Sequence, residues 1–416
     1  MRGAKSMTPP AAESFQLPDF LVDDAFALRE AQEAGATTEE ARAHFKDDRK
    51  TMRLKTLILG LTVLAFTVHA LCISFDGAGV GAVSFYAPWD VFSSLFNWAA
   101  ASITRAFGLQ VYPADANLID IAPLYPQVVP RAGMTLATLV CGALLACAGM
   151  LYQTVFRNPI ASPSLLGITN GVKVGLLLVF MAFGITAQRE VAARFAYGYT
   201  AGIITLIAVF IVSKLITKRK TSISVFDMLV VGTIASALLS AISKYILRIL
   251  ATVDMWSIFF EFQEGLYLYN DPITYIVLFV SALVSFVPVF LLRFRLNLLS
   301  FSDGEVRVMG ANPRMLRALA IIAGSLMILT AQVFVGPASS FALVIPYLSR
   351  VLFGSEFRKQ LWGNVLLGML VLVVCRTLCA LIPFVGIGVP IGTLAGYLTL
   401  PAFIWATLFA ERTWQK

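Results

Sequence analysis

"LLACAGMLYQTVFRNPIASPSLLGITNG" occupies residues 144–171. It opens as an apolar helix and closes as one, yet Arg157, Asn158, Pro159, Ser162 and Pro163 stand between. Two prolines so close together cannot continue a helix, because each lacks a backbone donor and restricts the residue before it. Arg157 seeks water or headgroups. Residues 156–163 therefore read as a tight turn between two membrane-grade spans. Ser162 is placed to cap a helix that restarts at Pro163.

Outward from that turn, the whole chain has a membrane composition. Of 416 residues, 58% are hydrophobic and 13% are charged, whereas a soluble domain carries about 25% charged residues. Apolar runs recur at 54–75, 133–153, 164–184, 195–216, 225–248, 273–292, 315–335, 340–353, 362–382 and 390–409. A helix needs roughly 20 apolar residues to cross the hydrocarbon core. The pattern predicts an all-α integral membrane protein with about ten transmembrane helices. The run at 340–353 is short and holds Pro346, so it crosses with help from its neighbours or crosses only partway. The expected domains are an N-terminal extension over 1–53 and a transmembrane domain over 54–412. Within the extension, "TTEEARAHF" reads as a short helix with Thr38 as its cap. The long segment at 76–132 contains "WDVFSSLFNWAAASITRAFGL", an amphipathic stretch with Trp89 and Trp98 that lies in the interface plane or packs over the helices.

Charge sets an orientation. The chain carries +8, but residues 1–50 hold 7 Lys/Arg against 10 Asp/Glu, so residues 51–416 carry +11. With ten spans and a cytoplasmic N-terminus, the inner loops hold Arg157, Lys218, Arg219, Lys220, Arg293, Arg295, Arg307, Arg314, Arg350, Arg358 and Lys359. The outer loops hold Arg105, Arg131, Arg189, Arg194 and Arg248, with Asp254, Glu261, Glu264 and Asp271. This obeys the positive-inside rule, and an even count keeps Arg412 and Lys416 on the N-terminal side. A multi-pass protein of the cytoplasmic membrane with both termini cytoplasmic is expected. The acidic, polar first 50 residues do not resemble a cleavable signal peptide. No basic face with interleaved aromatics points to nucleic acid. The implied partner of the excess charge is the lipid bilayer.

Catalytic patterns are absent. No G-x-x-x-x-G-K-[ST] phosphate loop occurs, so the chain is not expected to hydrolyse ATP itself. Cys72, Cys141, Cys147, Cys375 and Cys379 lie in or beside apolar runs without His or carboxylate at ligand spacing, and read as small buried hydrophobes. His69 reads as a packed residue. No metal site, cofactor or catalytic residue is expected. "GVPIGTLAG" spaces Gly388, Gly392 and Gly396 four apart on one helix face, either for close helix packing or to line a path. Lys173, about ten residues into a span, either lines the path and meets an anionic substrate or snorkels to the inner face.

"FRNPIASPSLLGITNG" resembles a signature of FecCD-type permeases, the membrane subunits of ABC importers for iron–siderophore complexes, haem and cobalamin. "RLNLLSFSDGEVRVMGANP" at 295–313, "GPASSFALVIPYLSRVLFG" at 336–354, "GVPIGTLAGYLTLPAFIW" at 388–405 and "VPRAG" at 129–133 resemble further family stretches, in order. The resemblance covers about 54–412. It implies a ten-span subunit in a homo- or heterodimer around a central path, with two ABC ATPase subunits below and an extracytoplasmic substrate-binding protein above. It implies that 295–313 is the ATPase-coupling region, carried by Arg295, Asp303, Glu305, Arg307, Gly310 and Asn312. It implies that Arg131 pairs with acidic residues of the binding protein, unless it merely anchors at headgroups. Arg157, Asn158 and Pro159 fall to the translocation path or to helix packing.

The sequence departs from the family in places. Val128 stands where some relatives have a second arginine. Arg376 falls too early for the arginine expected late in the ninth span. Ser339, Ala342 and Tyr347 replace the usual Gly, Gly and His. The expected function is permease subunit of an ATP-driven importer for a ferric siderophore or another metal chelate, or for haem or cobalamin. An ion-coupled secondary transporter would need intramembrane carboxylates. The spans hold almost none, since Asp227 sits at a span end and Asp254 and Glu261 lie outside. A non-transporting membrane scaffold is the remaining reading.

Overall fold

The computed structural model describes residues 38–67, 73–75, 83–85, 88–106, 125–159, 161–183, 191–216, 225–251, 272–336, 338, 340–381 and 391–414. The chain divides into two compact units, Met1–Thr56 and Leu57–Lys416. Among the described residues, helix α1 (Thr38–Thr67) covers only the first part of the run at 54–75, whereas α3 (Tyr125–Phe156), α4 (Ile168–Phe183), α5 (Val191–Ile216), α6 (Val225–Ala251) and α7 (Pro272–Leu291) overlie the second to sixth apolar runs. Helices α10 (Pro313–Val335), α11 (Phe341–Phe353), α12 (Phe357–Leu381) and α13 (Ile391–Trp414) coincide with the last four. Between them lie α2 (Pro88–Ala106) and two short loop helices, α8 (Arg293–Leu296) and α9 (Asp303–Val308). The all-helical expectation gains one addition, an antiparallel pair of three-residue strands, β1 (Ile73–Phe75) and β2 (Val83–Phe85).

Six of the described helices are long and apolar enough to cross a membrane, and α4 and α11 are shorter apolar helices. The protein is a multi-pass helical membrane protein. Helix α3 is its centre: 78% of its most apolar stretch is buried, against 22% for α5 and for α6. It packs on α10, α11 and α12, while α4 packs on α5 and α6. The outer faces of α5 and α6 expose Ile204, Ile207, Ile211, Ile234 and Leu238, as lipid-facing helices do when water gives no reason to bury them.

Small residues let backbones meet at the centre. Gly142 on α3 and Gly368 on α12 face each other, and a Cβ on either would overlap the other's carbonyl. The short run at 340–353 forms one helix despite Pro346. Proline has no N–H for the Ala342 carbonyl, and α3 accommodates the result. Gly149 leaves the space that the Ala342 carbonyl occupies. One turn later, Gln153 Nε2 donates to the Leu343 carbonyl at 2.9 Å.

Two expectations are corrected. "TTEEARAHF" is not a separate short helix but the start of the 30-residue α1; no Gly or Pro interrupts residues 38–59. The helix expected to restart at Pro163 makes only a 3-10 turn, Pro163–Leu166. Gly167, at φ 73, breaks it before α4 begins at Ile168. Ser162 does cap that turn, its hydroxyl accepting from Ser164 N at 3.4 Å. The amphipathic stretch at 88–106 is helix α2, with Trp89, Phe92 and Phe96 exposed in one row and Val91 and Ala101 buried on the other face. The side chain of Trp98 and the residues His69, Cys72, Arg189, Lys218, Arg219, Lys220, Asp254, Glu261, Glu264, Asp271, Ser339 and Gly388 lie outside the described residues.

Candidate functional site

The loop from 292 to 312 is built of short helices, each with a local cause. Helix α7 ends as Leu292 N donates to the Pro288 carbonyl at 3.0 Å. Arg293 then caps that end, donating to the Phe290 carbonyl at 2.7 Å with its guanidinium 4.3 Å from the Phe290 ring. Asn297 opens a 3-10 turn, Asn297–Ser300, and its Oδ1 accepts from Phe357 N at 3.2 Å, which ties the loop to the first residue of α12. Ser302 and Glu305 form a capping box on α9: Ser302 N donates to Glu305 Oε2 at 2.7 Å, and Glu305 N to Ser302 Oγ at 3.4 Å. Such reciprocal bonds satisfy two orphan donors at a helix start. They also hold the Glu305 carboxyl below its ordinary range.

Gly310 closes α9 at φ 76, a left-handed conformation that glycine adopts without steric cost. Asn312 restarts the chain as α10, its Oδ1 accepting from Arg314 N at 3.0 Å and Met315 N at 3.4 Å, with Pro313 in the first turn. Arg307, Gly310, Ala311, Asn312, Pro313 and Arg314 line a shallow cavity of about 540 Å³. At the tip, Val308 is 90% exposed, and Met309 and Met315 are exposed beside it.

The 144–171 stretch fastens this loop from the opposite side. Arg157 follows α3 at φ 48. Its Nε donates to the Leu299 carbonyl at 3.1 Å, and its Nη2 donates to the Phe301 carbonyl and reaches Asp303 Oδ1 at 3.4 Å. Asp303 is also gripped by Arg317 from α10, through Nη1 to Oδ2 at 3.0 Å and Nη2 to Oδ1. Arg317 beside Asp303 holds its carboxyl below the usual carboxylate range, with Arg157 and Arg307 adding to the attraction. Three segments distant in sequence meet at one carboxylate.

Of the residues expected in the coupling region, Asp303, Glu305, Arg307, Gly310 and Asn312 are gathered in this unit, and Arg295 is exposed on α8. Arg157 joins them. Asn158 holds the turn, its N donating to the Gln153 carbonyl at 3.1 Å and its carbonyl accepting from Ala161 N at 3.0 Å; Pro159 is exposed. Arg317 and Asn297 were not singled out by sequence reasoning. Arg317 lies in the second turn of α10, and a turn-periodic search for cations near Asp303 would have found it. Arg131 lies on α3, with its side chain outside the described residues. Arg376 comes near that level, its Nη2 3.8 Å from the Met134 sulfur.

Gly392 and Gly396 lie in the first turns of α13. A Cβ on Gly396 would meet Ser340 Oγ at an ordinary 3.4 Å, so it does not mark a close approach within this chain. Both glycines line a second cavity, of about 550 Å³, with Ser162, Ser164, Ser340 and Thr393. Lys173 is half-buried on α4.

The described residues thus form a multi-pass bundle of apolar helices with a helical loop fastened at one end, the architecture of a membrane transport subunit. The FecCD transport family model matches residues 126–409, and the chain belongs to the FecCD transport family. It is 30% identical, over 68% of its length and 82% of the relative, to the "probable iron chelatin transport system permease protein" of Helicobacter pylori. It is 28% identical, over 62% of its length and 75% of the relative, to the "molybdate import system permease protein MolB" of Haemophilus influenzae. Its fold resembles a solved metal-chelate type ABC transporter in an inward-facing conformation, with a TM-score of 0.57, 24% identity, and coverage of 77% of this chain and 99% of that one.

Proposed function

We propose that this chain is the permease subunit of an ATP-driven importer that moves ferric siderophore complexes across the cytoplasmic membrane. The observation that carries the ATP-driven part of this reading is the loop fastened by Arg157, Asp303 and Arg317, which presents Val308 and Met309 at its tip; the similarity to an iron chelatin permease supports the cargo. Val308, Met309 and Met315, exposed together at one tip, suit a surface that a partner covers. Two separate ABC ATPase subunits suit that role, since the sequence holds no phosphate loop of its own. Residues 54–412 form the permease domain, paired with a second permease subunit, and residues 1–53 form a cytoplasmic extension. Both termini are cytoplasmic, as the basic loops favour. Arg131, toward the opposite end of α3, docks the extracytoplasmic binding protein. ATP drives access only as far as the nucleotide-bound ATPases prefer one permease state over the other.

Gly310 tests the coupling role. A β-branched side chain is strained at φ 76, whereas Asn tolerates the left-handed region. Gly310→Val is expected to lower radiolabelled iron uptake about tenfold at unchanged membrane abundance, with Gly310→Asn retaining most of it. Normal uptake by Gly310→Val at normal abundance removes the coupling role. Lost haem or cobalamin uptake beside normal siderophore uptake, on deleting the chain, keeps the permease and changes its cargo.

A further inference from the structure

We propose that Lys173 and Lys244 form a cation pair at mid-depth in the bundle that receives a cargo of net negative charge, which makes the transported chelate an anionic one. The inference deepens the transport reading above and rests on it. Asn170 Nδ2 on α4 donates to the Ser236 carbonyl at 3.0 Å and to its hydroxyl at 2.7 Å. Gly167 sits against Gly232 and Ser236, and Leu177 and Phe180 pack with Ile246 and Leu250. These contacts lay α4 and α6 side by side, running in the same direction. One turn beyond the Asn170–Ser236 bond stand Lys173 and Ser240; Lys244 follows a turn later on α6. Asn170, Lys173, Ser236, Ser240 and Lys244 thus form one polar seam, with none of the five buried.

The depth of this seam matters. The midpoint of α6 is Leu238, and at 1.5 Å per residue Ser240 and Lys244 lie about 3 and about 9 Å from it along the axis. Both levels fall within a hydrocarbon core about 30 Å thick. Lys173 stands level with Ser240 and five residues, about 7.5 Å, into α4. Among the described residues, neither lysine has an acidic partner. Two cations a turn apart within the core, with no acidic partner among the described residues, are costly in lipid and persist where water or an anion compensates them. A chelate whose carboxylate or catecholate oxygens outnumber the charge of the ferric ion supplies that anion, and the freely rotating ammonium donors suit its dispersed charge.

The test is radiolabelled iron uptake in cells that carry the complete importer. Iron is offered as an anionic tris-catecholate, as ferric citrate, and as a neutral trihydroxamate. In the wild type, deleting the chain is expected to abolish uptake of an anionic complex. Lys173→Met and Lys244→Met are each expected to lower that uptake about tenfold or more at unchanged membrane abundance. Lys173→Arg and Lys244→Arg are expected to restore it. Uptake by the methionine variants equal to wild type overturns the cation pair while leaving the transport reading intact. So does a wild type that carries only the neutral complex, or an equal loss on anionic and neutral complexes. Unchanged uptake of all three on deleting the chain overturns the iron-transport reading and the anion site with it.

Discussion

Arg157 is, among the described residues, the one non-glycine at positive φ. For a non-glycine residue that conformation costs about 1–2 kcal/mol. Two backbone carbonyls and a carboxylate accept from its guanidinium, and hydrogen bonds to a charged group are worth about 1.5–3 kcal/mol each. The strained turn is therefore held by what the side chain grips. Asp303 gives that grip a pH dependence. Its carboxyl is held below the ordinary value of about 4. A depressed carboxylate contributes fully above that ordinary value, and the contribution is lost as pH falls through the lower folded value. Amide-exchange protection of residues 299–303 is expected to stay flat from neutral pH to about pH 5 and to fall below about pH 4. Asp303→Asn is expected to lose that protection at every pH. A transition centred near neutrality would show that another group controls the loop.

At the scale of elements, α11 survives its proline because α3 is shaped for it. Gly149 takes the freed Ala342 carbonyl and Gln153 bonds the next one. Gly149→Ala is expected to destabilise the bundle by about 1–3 kcal/mol through overpacking, read as earlier loss of monodisperse protein on heating in detergent. Unchanged thermal behaviour would mean that α11 shifts to make room. Most of the helices were legible in the sequence because lipid demands long apolar runs, but the first run, 54–75, was not: its helix spans Thr38–Thr67, and its last three residues form β1. The turn at 156–163 was legible because prolines and an arginine are strong local signals. Sequence reasoning left Arg157 between path and packing, and the structure sets it on the loop at 299–303. That contact joins residues some 145 positions apart, and no local pattern reports it. Arg317 lies only 14 residues from Asp303, so its pairing was open to a local search that the motif reading did not make. The single helix over 38–67 was misread as two pieces because a polar stretch followed by an apolar one looks like a boundary, although helix formation needs neither.

For the whole molecule, charge is sorted toward the two ends of the bundle. Arg131 belongs to the end opposite the fastened loop. Arg131→Glu is expected to weaken capture of the binding protein about tenfold at low salt and much less at high salt, since an exposed ion pair is screened beyond a Debye length of about 10 Å at 0.1 M. Binding measured at the two ionic strengths checks this, and equal affinity at both would return Arg131 to a headgroup anchor. At the loop end, Asp303 is a junction of two ion pairs, to Arg157 and to Arg317, and on the coupling reading proposed above it would carry load. It joins the strut after α3 to the second turn of α10, so force delivered to α9 is divided between two helices rather than spent bending one loop. Both belong to the most deeply packed part of the bundle. On that reading, a push at Val308 would be passed to the centre of the protein rather than to its lipid-facing rim.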